Sequence, residues 1–123
     1  MARLLLIDDD ADILLLLEHI LQGAGYHVDC AETVRSARSL LERRHYDLVI
    51  ADGKLPDGTG MMVGKAAGAQ GIDTLIVTGY AFQLPRDELL QYEYLLKPIR
   101  PSELLRAIEQ NLKRPTRCPP ATA

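Results

Sequence analysis

The chain has 123 residues, 47% of them hydrophobic and 25% charged, with a formal net charge of −3. That is the length and balance of one soluble domain, and the charge argues against the concentrated basic face that direct nucleic-acid binding requires. The longest apolar runs, 4–7 and 13–17, fall far short of the ~20 residues of a membrane span, and Asp8, Asp9 and Asp10 interrupt any signal-peptide pattern at once, so the expected location is cytoplasmic.

Residues 4–7 form a continuous apolar run stopped by three aspartates, which favours a buried strand. From Ala11 the residues Ile13, Leu16, Leu17, Ile20, Leu21 and Ala24 recur at helical spacing, with Asp10 as N-cap and Gly23 or Gly25 as stop. A second strand is expected over 26–31, and a second helix over 33–44 with Val34, Ala37, Leu40 and Leu41 inward. Residues 48–51 read as a buried strand ending at Asp52. The stretch 53–60, with one proline and three glycines, reads as a loop. A short helix over 61–69, loosened by Gly64 and Gly68, precedes a strand over 74–77 that runs out at Thr78 and Gly79. A short helix over 85–91, a fifth strand over 94–96 and an amphipathic helix over 102–112 follow, the last with Leu104, Leu105, Ile108 and Leu112 inward. The Pro-rich residues 114–123 read as a tail or the start of a linker, leaving 1–113 as the domain.

Strand and helix alternate five times, and the strands are apolar throughout. That combination implies an α/β fold, a doubly wound parallel sheet with helices on both faces. Ligands of such sheets bind beyond the carboxyl ends of the strands, near the reversal of strand order. Asp8 and Asp9 leave the first strand, Asp52 the third, Thr78 the fourth and Lys97 the fifth. Three carboxylates brought together repel one another unless a cation sits among them, and a hard ion such as Mg²⁺ (or Mn²⁺) suits oxygen donors. A carboxylate is also a competent nucleophile toward an activated phosphoryl group, whose equatorial oxygens need cations and hydroxyls such as Lys97 and Thr78. Taken singly, each feature has a plainer reading: the acidic triplet as a helix N-terminus, Asp52 as a turn residue, Lys97-Pro98 as a strand end. Their conjunction at four strand ends is what points to phosphoryl chemistry.

With these residues assembled, the chain resembles the receiver domain of bacterial two-component response regulators. The matching pieces are LLLIDDD at 4–10, DLVIADGKLPDGTG at 47–60, LIVTGY at 75–80 and YLLKPIRPSEL at 94–104, and the resemblance covers residues 3–112. It implies a flavodoxin-like sheet of order 2-1-3-4-5 and phosphorylation of Asp52. It further implies a metal held by Asp8, Asp9, Asp52 and the backbone carbonyl of Lys54, with Thr78 and Tyr94 as switch residues, Lys97 on a phosphoryl oxygen, and a cis Lys97-Pro98 bond. The implied partners are a histidine kinase or histidine phosphotransfer protein and a downstream output protein or domain, with a homodimer possible on activation; neither nucleic acid nor membrane is expected as a direct partner.

The sequence departs from that pattern in three places. Thr59 replaces a common aspartate, Lys54 puts a long cation two residues after Asp52, and the stretch from Thr78 to Lys97 is short, which predicts a truncated or irregular fourth helix. Two competing functions are an aspartyl-nucleophile hydrolase and a receiver-shaped binding module independent of phosphate. The first often carries a second carboxylate where Lys54 stands, and the intact Asp8, Asp9, Asp52, Thr78 and Lys97 argue against the second, so the chain is expected not to be an enzyme. Leu14 and Leu15 fall off the expected inward stripe of the first helix and are expected to form an apolar surface for the phosphodonor. His19, His27 and His45 share no spacing and read as surface residues, and Cys30 and Cys118 as reduced thiols.

Overall fold

Apolar runs without alternation need cover on both faces, and the chain supplies it. The computed structural model describes residues 2–79 and 84–113; the tail 114–123 with Cys118, and Tyr80, lie outside them. In chain order the elements are β1 (Arg3–Ile7), α1 (Ala11–Gly23), β2 (His27–Ala31), α2 (Val34–Arg43), β3 (Leu48–Asp52), β4 (Lys54–Leu55), β5 (Gly58–Thr59), α3 (Gly60–Gly68), β6 (Asp73–Thr78), α4 (Arg86–Leu89), β7 (Glu93–Leu96) and α5 (Pro101–Lys113). Five strands form one parallel sheet in the order β2-β1-β3-β6-β7, which is the order expected. Leu5, Ile7, Val49, Ala51 and Ile76 pack against α2, α3 and α4 on one face. Leu4, Leu6, Leu48, Ile50, Leu75 and Val77 pack against α1 and α5 on the other.

Polarity alternation cannot fix the register of strands buried on both faces; their polar ends do it instead. The backbone N–H of Arg3 donates to Asp47 at 2.8 Å, and its guanidinium lies 3.7 Å from Asp29. Sliding β1 by one residue breaks both. Tyr46 joins the same network: it is fully buried and its hydroxyl donates to Asp29 at 2.6 Å. Burial, reinforced by that bond, pushes its phenol above the ordinary value. Cys30 is free and partly buried, and burial together with the charge of Glu18 pushes its thiol up to about 12, which leaves little of the reactive thiolate.

The caps follow the sequence closely. Asp10 accepts from the N–H groups of Asp12 and Ile13 at 3.0 and 3.3 Å, and α1 ends in paired bonds from Gly25 to Gln22 and from Tyr26 to Leu21, with Gly25 at φ +99°. That closure needs a left-handed residue, which glycine supplies without strain. Thr33 caps α2 through a reciprocal pair with Ser36, and Asp57 reaches across to accept from Val34 and Arg35 at 2.8 and 3.0 Å. Those two backbone bonds hold the Asp57 carboxyl below its ordinary value.

Three details differ from expectation. The stretch 53–60 holds a small hairpin, β4 against β5, so it is more ordered than a plain loop. Gly64 does not loosen α3: a Cβ there would come within 2.7 Å of the Tyr92 ring, so glycine admits close packing. In α1 the inward stripe is Leu14, Leu17 and Leu21, not the one centred on Leu16. Leu14 is 6% exposed and belongs to the core, whereas Leu15 and Leu16 are 67% and 59% exposed. Residues 13–17 are all apolar, so their spacing fits more than one helical phase, and packing on β1 and β2 selects the phase that the sequence alone leaves open. His19, His27 and His45 are exposed as expected.

Thr74 is buried at 6% exposure, and its hydroxyl is the one buried side-chain polar atom among the described residues without a hydrogen-bond partner. Such a group costs about 1–3 kcal/mol. Thr74→Val retains the branched shape and removes the hydroxyl, so urea denaturation should show a gain of about 1 kcal/mol; a loss would mean that the hydroxyl finds a partner in solution.

Candidate functional site

Parallel order places the ends of β1 and β3 side by side, with Ile7 opposite Ala51, and the next residues on each strand are acidic. Asp8 continues the ladder through its N–H to the Ala31 carbonyl at 3.1 Å, and its Oδ1 accepts from the Asp10 N–H at 2.9 Å. Asp8 and Asp52 are buried, at 4% and 6% exposure; Asp9 is exposed. One carboxylate oxygen from each of Asp8, Asp9 and Asp52 lies within 4.8 Å of the others. They line an open cleft of about 660 Å³ with Asp10, Ile13, Lys54, Leu55, Gly79 and Lys97.

Lys97 enters from the end of β7. Its N–H donates to the Thr78 carbonyl at 3.0 Å, and the Lys97-Pro98 bond is cis. The ammonium donates to Asp8 Oδ2 at 2.9 Å and to Asp52 Oδ2 at 3.2 Å. Burial raises the Asp52 carboxyl above its ordinary value; the Lys97 charge opposes the shift and the Asp8 charge adds to it. Burial pulls the Lys97 ammonium down, but its bonds and charge contacts with Asp8 and Asp52 outweigh that and hold it above the ordinary lysine value. A partly buried lysine facing two carboxylates thus keeps its proton, as an electrostatic anchor must.

Backbone contacts complete the site. The Lys54 N–H donates to Asp52 Oδ1 at 3.4 Å, and the Gly60 N–H donates to the Gly53 carbonyl at 3.1 Å. A Cβ on Gly60 would collide with the Asp52 carbonyl oxygen, so α3 begins directly against the strand end only because residue 60 is glycine. Thr59 caps α3 through Met62 at 3.4 Å, the local capping task to which an aspartate is also suited. Thr78 is fully buried beside Gly53, at whose α-carbon an added Cβ would lie 2.8 Å from the Thr78 hydroxyl oxygen.

Of the residues singled out from the sequence, Asp8, Asp9, Asp52, Lys54 and Lys97 therefore share one cleft, with Thr78 packed beneath it. Tyr94 stands apart on the edge strand, 38% exposed. Leu14 does not form a surface at all, and Leu15 does so with Leu16. Sequence reasoning passed over Gly53 and Gly60. Their signal was present, since a glycine immediately after a strand-end aspartate and another at the start of a helix both suggest close backbone approach.

The family model for the response regulator receiver domain matches residues 4–109. The chain belongs to that family. This receiver is 30% identical over 116 residues to the alginate biosynthesis transcriptional regulatory protein AlgB of Pseudomonas aeruginosa, covering 90% of the chain but 26% of AlgB. It superposes on a response regulator receiver domain protein of Methanospirillum hungatei with a TM-score of 0.82 at 32% identity, over 91% of this chain and 94% of that one. The response regulator TrrA of Thermotoga maritima, solved in complex with Mg(2+)-BeF, gives a TM-score of 0.82 at 28% identity, over 90% of this chain and 99% of that one. The receiver is thus a two-component signalling domain. No helix among its described residues is long and apolar enough to cross a membrane.

The pairing of Lys97 with Asp52 is directly testable. Lys97→Met removes the cation and leaves burial and Asp8, both of which favour the protonated acid. The Asp52 carboxyl should therefore titrate at higher pH than in the wild type, followed by carbon-13 NMR of the side-chain carboxyl. An unchanged midpoint would mean that the ion pair does not form in solution.

Proposed function

We propose that Asp52 is the phosphoacceptor of this receiver. The observation that carries the reading is the lysine bridge: one ammonium held between two buried carboxylates, with a third acidic group beside them, at the reversal point of the sheet. A carboxylate oxygen of Asp52 attacks phosphorus, the bond from phosphorus to the donor's imidazole nitrogen breaks, and the nitrogen retains the bonding pair. The oxygen-rich set of Asp8, Asp9, Asp52 and the Lys54 carbonyl fits a hard divalent cation such as Mg²⁺ or Mn²⁺, which when bound offsets carboxylate repulsion and phosphoryl charge. Lys97 exchanges its contact with Asp52 for a phosphoryl oxygen, and Thr78 donates its hydroxyl to another. Loading Asp52 then shifts a two-state equilibrium that Thr78 and Tyr94 report to the output surface.

The donor is a histidine kinase or histidine phosphotransfer protein, and the recipient a downstream output protein or domain, with homodimer formation on activation as one form of output. A catalytic hydrolase is the weaker reading, because Lys54 stands where a second carboxylate would activate water. The exposed leucines of α1 lie one turn from the acidic cleft, and the donor surface is Leu15 with Leu16 in place of Leu14.

Two measurements test these assignments. With Mg²⁺ and acetyl phosphate, the protein should gain the mass of one phosphoryl group, and Asp52→Asn should abolish the gain; incorporation that survives in the variant would move the acceptor elsewhere. Leu15→Glu combined with Leu16→Glu should slow transfer from the cognate kinase while leaving labelling by acetyl phosphate intact, and equal rates from the kinase would remove these leucines from the docking surface.

A further inference from the structure

The first amides of a helix have no partner within it, and at the start of α2 they are divided between two sources. The Ser36 N–H donates to Thr33 Oγ1 at 3.0 Å, and the Ala37 N–H to the Thr33 carbonyl at 3.1 Å, so the helix's own cap serves those two. The amides of Val34 and Arg35 donate instead to the two carboxylate oxygens of Asp57, at 2.8 and 3.0 Å, across 23 and 22 positions of sequence. Asp57 lies in the turn between β4 and β5, and that turn meets α2 a second time. An ideal Cβ on Gly58 would lie 3.3 Å from Val34 Cγ2 and 2.5 Å from Met62 Sδ, so glycine lets the turn sit between α2 and α3. β4 and β5 are two residues each, and a two-stranded hairpin is at best marginal on its own in water. Its shape is therefore set from outside, by burial of Leu55 in the core and by this clasp on α2. At the opposite end of the hairpin Lys54 lines the acidic cleft, its N–H on Asp52.

We propose that Asp57 is a positioning residue for the divalent cation: by clasping the turn to α2 it fixes the hairpin that presents the Lys54 carbonyl. The inference rests on the cation site of Asp8, Asp9, Asp52 and Lys54 proposed above, and gives that site a support outside the cleft. A carboxylate ligand can adjust by side-chain rotation, whereas a backbone carbonyl lies wherever its chain is held. Mg²⁺ tolerates little departure from octahedral geometry, and groups that orient a metal's ligands bear on affinity nearly as the ligands do. A carboxylate suits the clasp, because it gives one oxygen to each of two N–H groups at the positive end of a helix. Asp57 is exposed, so in its absence water can take over the two amides. Its loss should therefore disturb the placement of the hairpin more than the stability of the fold. By linkage the effect is reciprocal: filling the cleft favours the clasped turn by the same factor, and the start of α2 registers it.

The test titrates the full chain with MgCl₂ in the absence of any phosphoryl donor, followed by amide NMR, with urea denaturation alongside. In the wild type the amides of Gly53, Lys54, Val34 and Arg35 should shift together with one midpoint. Asp57→Ala should raise that midpoint about tenfold, the low end for loss of a group that orients a metal ligand. Asp57→Asn loses the charge but keeps one acceptor, so its midpoint should fall between the two. Thr33→Ala damages the start of the same helix from its own side; it should lower the urea midpoint and leave the Mg²⁺ midpoint in place. Three results would overturn the proposal: an Asp57→Ala midpoint equal to wild type, an Asp57→Asn midpoint equal to that of Asp57→Ala, which assigns the effect to charge alone, or equal weakening by Thr33→Ala. Should Asp57→Ala fail to fold, a wild-type midpoint in Asp57→Asn, or Val34 and Arg35 amides that stay silent in the wild type, overturns it. Silence at Gly53 and Lys54 in the wild type would instead remove the cation site and this inference with it, while the mass gain at Asp52 is read separately.

Discussion

Two carboxylates buried within reach of one another are unstable neighbours, and the architecture of this receiver turns on how Asp8 and Asp52 tolerate each other. Burial disfavours each charge, and proximity disfavours both together. Lys97 resolves the conflict by donating to both from a partly buried position. The requirement propagates outward. Parallel order must set β1 beside β3, so that the two aspartates meet, and must leave β7 at the far edge with β6 between. Lys97 must therefore cross the end of β6, which it does over the Thr78-Gly79 end of that strand, its N–H on the Thr78 carbonyl. A four-carbon side chain spans that gap with its charge at the tip.

The loop after Asp52 is held by backbone rather than by side-chain bulk. Gly60 lets α3 start against the Asp52 carbonyl, Gly53 leaves room for Thr78 and Leu84, and Asp57 ties the turn between β4 and β5 to the N-terminus of α2. Each contact is local, yet together they fix where the Asp52 carboxylate points. This division suits the phosphoacceptor role proposed for Asp52. The loop is set by hydrogen-bonded main chain, while Thr78 and Lys97, the groups proposed to meet the phosphoryl oxygens, act through side chains.

Much of this was legible in the sequence, because the informative signals were terminations. Apolar runs that stop at Asp8, Asp52 and Thr78 mark buried strand ends, and parallel topology then gathers them with no further information. Asp10 as a cap, Pro85 as the limit of a short helix, and the three exposed histidines are equally local and were equally readable. What the sequence did not show depends on packing at a distance. The phase of α1 was ambiguous because 13–17 are uniformly apolar, and contact with the sheet put Leu14 rather than Leu16 inside. Gly64 looked like a helix breaker until Tyr92, nearly thirty residues later, was found against it. Leu84 sits in a stretch with no periodicity, so nothing in its neighbours announces the notch at Gly53.

The errors fall unevenly between chemistry and communication. Reversing the phase of α1 leaves Asp8, Asp9 and Asp52 where they were, since strand ends place them; it alters only which leucines a partner meets. The same holds at the other edge, where Leu90, Tyr94 and Leu96 are exposed at 60%, 38% and 55% around a four-residue α4. Phosphoryl chemistry demands a fixed set of charges and so constrains residue types at strand ends. Recognition demands only a surface that fits one partner, and helix faces and helix lengths can vary beneath an unchanged site. A four-residue α4 is compatible for that reason with an acidic cleft whose residues Asp8, Asp9, Asp52 and Lys97 all stand at the ends of strands.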